Sequence, residues 1–245
     1  MGRRSDGGSA VVVGQGDKST GTEGSLLENR PEDRSSNRKV PLEAHIMSKC
    51  PDAQACLQQL VVPAMEQISD KVDFGLSFIA NVSSGSSEIK CKHGPGECVG
   101  DMIILCAANL PFPPDGSDDG AKTPTIRSLG FANCLIGEYE DIPGRPLVEK
   151  CAAQHGIDFD ALNRCASNQD DDPNDPDKLS GLALLRKSAL RSAKLKAGIS
   201  CTVRLNESVW CVRDGGVWKD CVKGGKASEV SVLVEEVNRL YDEEN

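Results

Sequence analysis

The sequence predicts an α/β fold in which a β-α-β unit and a closing β-β-α unit are separated by a helical insertion. An apolar strand pattern, an amphipathic helix pattern and a second apolar strand pattern follow one another between Val40 and Ala80, as in a β-α-β unit. Helical patterns then fill residues 97–196, approximately. Two short strand patterns and a last helix pattern complete the chain.

The first unit begins with a strand from Val40 to Met47 and continues with a helix from Pro51 to about Asp70. Pro51 suits the first helical position, and Pro63 is expected to kink the helix midway. A strand from Val72 to Ala80 is apolar on both faces, which predicts a central parallel strand. The helix places apolar side chains on one face: Leu57, Leu60, Val61, Ala64, Met65 and Ile68.

The insertion and the closing unit follow from the same periodicities. Helices are predicted at Cys98 to Leu110, Thr125 to Gly137, Leu147 to Gln154, Asp158 to Ala166 and Ser180 to Lys194. A hairpin of Cys201 to Asn206 and Val209 to Arg213 precedes a helix capped by Ser228. This helix has a buried stripe of Val230, Leu233, Val234, Val237 and Leu240. The element order is that of a thioredoxin-like domain.

Composition sets the boundaries of this domain and excludes two classes of partner. Residues 1–39 carry hardly any large apolar side chain, so we predict a disordered tail before a domain of residues 40–245. The net charge of −9 and the lack of a sustained basic stripe argue against nucleic acid. Because no apolar run reaches about 18 residues, we expect no membrane span.

The cysteines indicate an oxidising compartment. The chain has 11 of them, which predicts a disulfide framework and leaves at least one thiol unpaired. Two glycosylation acceptors, Asn81 and Asn206, agree with a secretory route. We therefore expect the secretory pathway, a lysosome or vacuole, or the extracellular space, although the first residues lack the apolar stretch of a signal peptide.

Cys50 stands where the first strand leads into the first helix. Unpaired backbone N–H groups and the positive end of the helix dipole favour a thiolate at such a position. Lys49 adds a neighbouring positive charge. The sequence therefore indicates a reactive thiol at Cys50.

A second cysteine cluster carries a family resemblance. Residues 91–106 read CKHGPGECVGDMIILC, with Cys91, His93, Gly94, Cys98 and Cys106 at fixed spacings. This run resembles the CQHGxxECxxNxxxxC signature of the γ-interferon-inducible lysosomal thiol reductase family, and it carries Asp in place of the signature's Asn. The resemblance extends from Val40 to about Tyr241. It implies a thioredoxin-like thiol-disulfide oxidoreductase that acts on protein disulfides and needs no cofactor.

The chain departs from that family at the catalytic motif. The family uses a Cys-x-x-Cys pair at the start of the first helix, whereas Cys50 is followed by Pro51, Asp52 and Ala53. The nearest replacement is Cys56, but six residues of helix rise about 9 Å while bridgeable Cα atoms lie within roughly 7 Å. A Cys50–Cys56 bridge therefore requires an irregular first turn. The family also has a cis-proline before its third strand, where this chain carries Ile199-Ser200-Cys201.

Three interpretations of the motif remain open. Cys50 acts as a lone nucleophile whose mixed disulfide is released by a small-thiol reductant such as glutathione. Alternatively, Cys56 or Cys201 resolves the intermediate after a local rearrangement. In the third interpretation Cys50 and Cys56 are structural, and the chain is a redox-inactive, disulfide-stapled secreted or luminal binding protein.

Metal binding is the weaker interpretation of the signature cysteines. Cys91, His93, Cys98 and Cys106 suit zinc by ligand type, but their spacing is not a paired-knuckle pattern, so we predict disulfides and no metal. Proximity suggests the pairs Cys211–Cys221 and Cys151–Cys165. His45 is expected to be a core or groove-lining side chain.

Overall fold

The computed structural model describes residues 37–83, 88–114, 120–170 and 179–245. In these residues a five-stranded sheet has the strand order β2-β1-β5-β6-β7, and β3 and β4 form a separate two-stranded ribbon. The strands are β1 (Val40–Ile46), β2 (Val72–Phe78), β3 (Asn81–Val82), β4 (Ile89–Lys90), β5 (Thr202–Leu205), β6 (Ser208–Asp214) and β7 (Val217–Lys219). The α-helices are α1 (Pro51–Cys56), α2 (Val62–Ile68), α3 (Pro95–Asn109), α4 (Thr125–Gly137), α5 (Arg145–His155), α6 (Phe159–Ser167), α7 (Gly181–Lys194) and α8 (Val230–Glu244).

The β-α-β unit forms as predicted. β1 and β2 are parallel, with Val40 opposite Val72, and the helical segment between them covers the sheet. A π-helical stretch, Leu57–Val61, separates α1 from α2, and Pro63 is the second residue of α2. Proline lacks the N–H that continues the helical hydrogen-bond ladder, which explains an irregularity at this point. All six residues of the predicted apolar face are at most 1% exposed.

β2 is an edge strand, so the prediction that it is central was wrong. Its apolar residues on both faces have another cause, because α7 packs against this strand. The backbone N–H of Phe78 donates to Ser188 Oγ at 2.7 Å, and Ser192 Oγ donates to the Phe78 carbonyl at 2.9 Å. Two serine hydroxyls of α7 thus make the hydrogen bonds to the backbone N–H and carbonyl of Phe78 on the side of β2 where no neighbouring strand is present.

The closing unit pairs antiparallel to β1 through β5, with Leu42 opposite Leu205. Asn206 and Glu207 form the tight β5–β6 turn, both with positive φ, and β7 adds a strand that the sequence patterns did not indicate. The cap predicted for the last helix was wrong. A 3-10 turn intervenes, Ser228 Oγ donates to the Gly225 carbonyl, and Glu229 stands at the N-terminus of α8.

The observed order, β-α-β, then α3 to α7, then β-β-α, confirms the α/β, thioredoxin-like fold. Disulfides hold the insertion together by joining α3 to α6 through Cys106–Cys165 and α4 to α5 through Cys134–Cys151. The predicted Cys151–Cys165 pair was therefore wrong, because these two cysteines bond to different helices. The Cys211–Cys221 pair was confirmed.

The first 36 residues of the predicted disordered tail lie outside the described residues. Its last residues are described and contact the C-terminal helix: Asn37 donates to the Tyr241 hydroxyl, and the Arg38 N–H donates to the Asn245 side chain. Within the described ranges, none of the helices is long and apolar enough to cross a bilayer.

Candidate functional site

Cys50 lies between β1 and α1, in the N-cap position of the helix. Its backbone is extended, with φ −107° and ψ 127°, and its carbonyl accepts hydrogen bonds from the N–H groups of Ala53 and Gln54. The residue is 8% exposed, and its Sγ lies 3.9 Å from the carbonyl oxygen of Ser200. The other ten cysteines form five disulfides, so Cys50 carries the unpaired thiol.

Cys56 bonds to Cys201 rather than to Cys50. Both partners are fully buried, since Cys56 lies on the face of the helix that packs on the sheet and Cys201 directly precedes β5. The Ser200–Cys201 peptide bond is cis. This arrangement places a disulfide next to the loop that faces the free thiol, and the irregular turn required for a Cys50–Cys56 bridge is absent from α1.

Lys49 does not direct its charge towards Cys50. Its ammonium donates to the carbonyls of Glu140 and Ile142 at 2.8 and 2.6 Å, so the side chain fastens the start of α1 to the helical insertion. Its backbone N–H donates to Glu97 Oε2 at 3.3 Å. The neighbouring positive charge expected from the sequence is therefore engaged elsewhere.

The first turn of the helix is held from the opposite side by Asp52. Its two carboxylate oxygens accept hydrogen bonds from the N–H groups of Gly215 and Gly216 at 2.8 and 2.9 Å. Arg213 Nε lies 3.5 Å from the same carboxylate. The sequence does not indicate this anchor, because its partners are brought together only when the β6–β7 turn packs beside α1.

The family signature forms the wall behind the β1–α1 junction. Glu97, which is fully buried, accepts from the backbone N–H of His93 at 3.1 Å and lies 2.5 Å from His93 Nδ1. Gly100 allows close contact here, since a Cβ at this position would lie 2.3 Å from Ile142 Cγ2 and 2.9 Å from Ser48 Oγ. The signature therefore positions the segment that carries Cys50.

Asp101 is the second buried carboxyl of this wall. Its Oδ1 accepts from the Ser48 N–H at 3.2 Å, and its Oδ2 lies 3.8 Å from Cys91 Sγ. Burial raises the pKa of Asp101 well above its ordinary value; hydrogen bonds from Ser48 lower it by less, and the nearby Glu97 raises it further. A neutral side chain at this position is close in shape to the asparagine of the family signature.

The signature cysteines are bonded to other cysteines. Cys91 pairs with Cys98 and Cys106 with Cys165, which confirms the disulfide interpretation over a Cys3His zinc site. Among the described residues, no cluster of three His, Cys, Asp or Glu side chains has the geometry of a metal site. His45 is fully buried, between Ser192 Oγ at 2.9 Å and Glu43 Oε2 at 3.0 Å, and burial lowers its pKa despite Glu43.

A cleft of about 540 Å³ lies beside this junction. Met47 lines it on the side of β1, and Gly198 lines it from the segment that leads to Ser200. The complete lining is Met47, Ile79, Ala80, Asn81, Lys90, Cys91, Lys92, Ser192, Ala193, Lys196, Ala197 and Gly198.

The two glycosylation candidates are both at the surface. Asn81 lies in β3, and Asn206 lies in the β5–β6 turn; each is exposed. Their accessibility is compatible with glycosylation, which stays a prediction.

Comparison with known proteins finds one matching family model and two similar insect proteins. The family model of gamma interferon inducible lysosomal thiol reductase matches residues 41–155. GILT-like protein 1 of Drosophila melanogaster is 27% identical over 180 residues, which are 69% of this chain and 66% of that protein. A gamma-interferon-inducible lysosomal thiol reductase-like protein of Anopheles gambiae is 25% identical over 53% of this chain and 55% of its own length.

Similar solved structures have low sequence identity. The reduced form of the disulfide bond oxidoreductase DsbG from Mycobacterium tuberculosis aligns with a TM-score of 0.48 and 15% identity, over 86% of this chain and 81% of that one. The thiol-disulfide oxidoreductase MdbA from Corynebacterium diphtheriae aligns with a TM-score of 0.47 and 12% sequence identity, over 83% of this chain and 85% of that one. The family model and the two insect relatives show that this chain is similar to the gamma interferon inducible lysosomal thiol reductase family, and they support membership in it, although the chain lacks the second cysteine of the Cys-x-x-Cys motif.

Proposed function

We propose that this protein catalyses thiol-disulfide exchange on protein disulfides, with Cys50 as the nucleophile. The family supports a thiol reductase-like function. The observation that carries the proposal is the position of the unpaired thiol, which stands at the start of the first helix and faces the loop that leads to Cys201.

The first step is an attack of the Cys50 thiolate on one sulfur of a substrate disulfide. A new S–S bond forms between Cys50 and that sulfur, and the substrate S–S bond breaks. The second substrate sulfur leaves as a thiolate and takes up a proton. Cys50 is then held in a mixed disulfide that a second thiol must resolve.

In our proposal Cys201 and Cys56 replace the missing second cysteine. In the reduced enzyme the Cys201 thiolate attacks the Cys50 sulfur, which releases the substrate as a thiol and forms a Cys50–Cys201 bond. The Cys56 thiolate then attacks Cys201 and frees Cys50. Two electrons have moved from the protein to the substrate, and the product is a free Cys50 beside a Cys56–Cys201 disulfide, the pairing seen in this structure.

A small-thiol reductant such as glutathione would close the cycle. Cys56 and Cys201 are fully buried, so the reductant reaches them through Cys50. The Cys50 thiolate attacks Cys201 and frees Cys56, one small thiol opens the Cys50–Cys201 bond, and a second releases Cys50 with formation of the oxidised small-thiol dimer. The competing form of this mechanism uses Cys50 alone and leaves the Cys56–Cys201 bond intact throughout.

A redox-inactive binding protein is the second candidate function. The observation in its favour is the low exposure of Cys50, 8%, together with a Cys56–Cys201 bond that joins residues 145 positions apart. A bond that closes so long a loop is well suited to a structural role.

Turnover of a disulfide-linked protein substrate, with glutathione as reductant, separates these functions. We expect Cys50→Ser to abolish reduction and Cys56→Ser/Cys201→Ser to lower it strongly. The matched control is Cys134→Ser/Cys151→Ser, which removes a disulfide of the insertion and should retain activity. Full activity without Cys56 and Cys201 would establish Cys50 as a lone nucleophile. A wild-type protein that neither turns over nor forms a mixed disulfide at Cys50 would be the binding protein.

We further propose that the protein acts in the secretory pathway, a lysosome or vacuole, or outside the cell. Its five disulfides fit an oxidising compartment. Asn81 and Asn206 would carry glycans there, and glycosidase treatment of the natural protein should then increase its electrophoretic mobility.

A further inference from the structure

The cleft beside the β1–α1 junction combines an apolar lining with positive charges at its rim. Met47, Ile79, Ala80 and Ala197 contribute apolar surface within its volume of about 540 Å³. Lys90, Lys92 and Lys196 also line the cleft, and each of them is exposed. No Asp or Glu is among the lining residues.

The lysines are largely available to a ligand. Lys90 Nζ lies 3.3 Å from Glu88 at the surface. Lys92 and Lys196 have no carboxylate within 4 Å among the described residues. Asp214 is paired with Lys219 at 2.6 Å, and this hydrogen bond is the main reason that the pKa of Asp214 is lowered; the charge of Lys92 acts in the same direction. A local group of cations on a chain of net charge −9 is a specific feature of this surface.

The cleft begins next to the free thiol. The carbonyl of Met47 accepts a hydrogen bond from the Cys50 N–H at 3.2 Å. On the opposite side, Gly198 is two residues before Ser200, whose carbonyl oxygen lies 3.9 Å from Cys50 Sγ and whose hydroxyl accepts from the Met47 N–H. When the disulfide of a substrate polypeptide lies at Cys50, the substrate residues that flank this disulfide would therefore lie over the cleft.

We propose that this cleft binds the peptide segment that flanks the substrate disulfide, and that it selects segments with an apolar side chain beside Asp or Glu. The apolar lining takes the apolar side chain, and the lysines pair with the carboxylates. A hydrophilic small thiol would leave the apolar lining in water, so the observations favour a peptide. The inference rests on the proposed function for the identity of the ligand, but binding itself requires no exchange chemistry.

Peptide binding to the full-length Cys50→Ser protein tests this inference without any turnover. The probe is a fluorescein-labelled peptide that contains Leu, two Glu and Ser in place of the disulfide cysteine. The comparison peptides replace both Glu by Lys, or Leu by Ser. We expect the acidic, Leu-containing peptide to bind most tightly and its affinity to fall as salt is raised.

Charge reversal then locates the site. Lys92→Glu/Lys196→Glu should weaken binding of the acidic peptide by roughly tenfold or more. Each exposed ion pair contributes little by itself, but the double variant replaces two attractions with two repulsions. Lys187→Glu/Lys226→Glu makes the same change in net charge at exposed positions outside the cleft and should bind as before.

Four results would overturn the inference: equal binding of the acidic and basic peptides, indifference to the loss of Leu, equal loss in the control variant, or displacement of the peptide by S-methylglutathione at low concentration. The last result would make the cleft a small-thiol site. If the acidic peptide binds as expected while wild-type protein shows no turnover, the proposed exchange reaction fails and the peptide site stands.

Discussion

At the scale of single residues, the buried carboxyls are the most informative feature of the site. Glu97 and Asp101 are both fully buried behind Cys50, and they receive hydrogen bonds from His93, Ser48 and the Lys49 backbone. The sequence located them, because they belong to the family signature. It did not show that the environment of Asp101 raises the pKa of this carboxyl well above its ordinary value.

Asp101→Asn should stabilise the protein at neutral pH. The folded protein keeps Asp101 neutral to a higher pH than the unfolded chain does, because burial raises the pKa of this carboxyl well above its ordinary value of 3.8. The wild type therefore loses stability as pH rises from about 4 through the raised folded-state pKa, and an asparagine cannot ionise. Urea unfolding between pH 3.5 and 7.5 should show equal stability at the acid end and a growing advantage of the variant towards neutrality.

The wild type itself is the control at each pH. His45, whose pKa is lowered mainly by burial, destabilises the fold as pH falls below about 6.5, but it does so equally in both proteins. The difference between them thus isolates Asp101. A constant difference across the range would show that this carboxyl is ionised in the folded state.

At the scale of elements, α7 determines how the sheet ends. β2 reads as a central strand because it is apolar on both faces, yet it lies at the edge and a helix of the insertion covers it. The hydroxyls of Ser188 and Ser192 bind the N–H and carbonyl of Phe78, which a neighbouring strand would otherwise do. Two serines on a helix carry no sequence pattern that would predict this contact.

Ser188→Ala should destabilise the protein by about 1–3 kcal/mol, because it leaves the buried N–H of Phe78 without its acceptor. The measurement is the free energy of unfolding in urea. Ser231→Ala, on the exposed face of α8, is the matched control and should change stability by less than about 0.5 kcal/mol. Equal effects of the two substitutions would contradict the role given to Ser188.

At the scale of the whole molecule, the disulfides connect segments far apart in sequence. Cys106–Cys165 joins residues 59 positions apart and Cys134–Cys151 joins residues 17 apart, both within the helical insertion. Cys56–Cys201 joins the β-α-β unit to the closing unit across the whole insertion. The framework therefore constrains the unfolded chain at several length scales.

The loss of unfolding free energy when each of the two insertion disulfides is removed should increase with the length of the loop that it closes. The loop-closure entropy of the unfolded chain predicts a loss of about 4 kcal/mol for Cys106→Ser/Cys165→Ser and about 3 kcal/mol for Cys134→Ser/Cys151→Ser. Urea unfolding of the two double variants beside wild type gives both values. A larger loss for the shorter loop would show that local packing, rather than loop closure, dominates.

The sequence by itself determined the element order, the helical insertion, the disulfide-rich character and the resemblance to the thiol reductase family, because periodicity and the signature spacing are local properties of the chain. Tertiary structure decided which sulfurs bond. Cys151 and Cys165 lie on consecutive helices but bond to α4 and α3 respectively, and Cys56 bonds to Cys201, 145 residues away. Only packing brings such groups within bonding distance, and the same packing leaves Cys50 as the free thiol and places three lysines from two distant segments around one cleft.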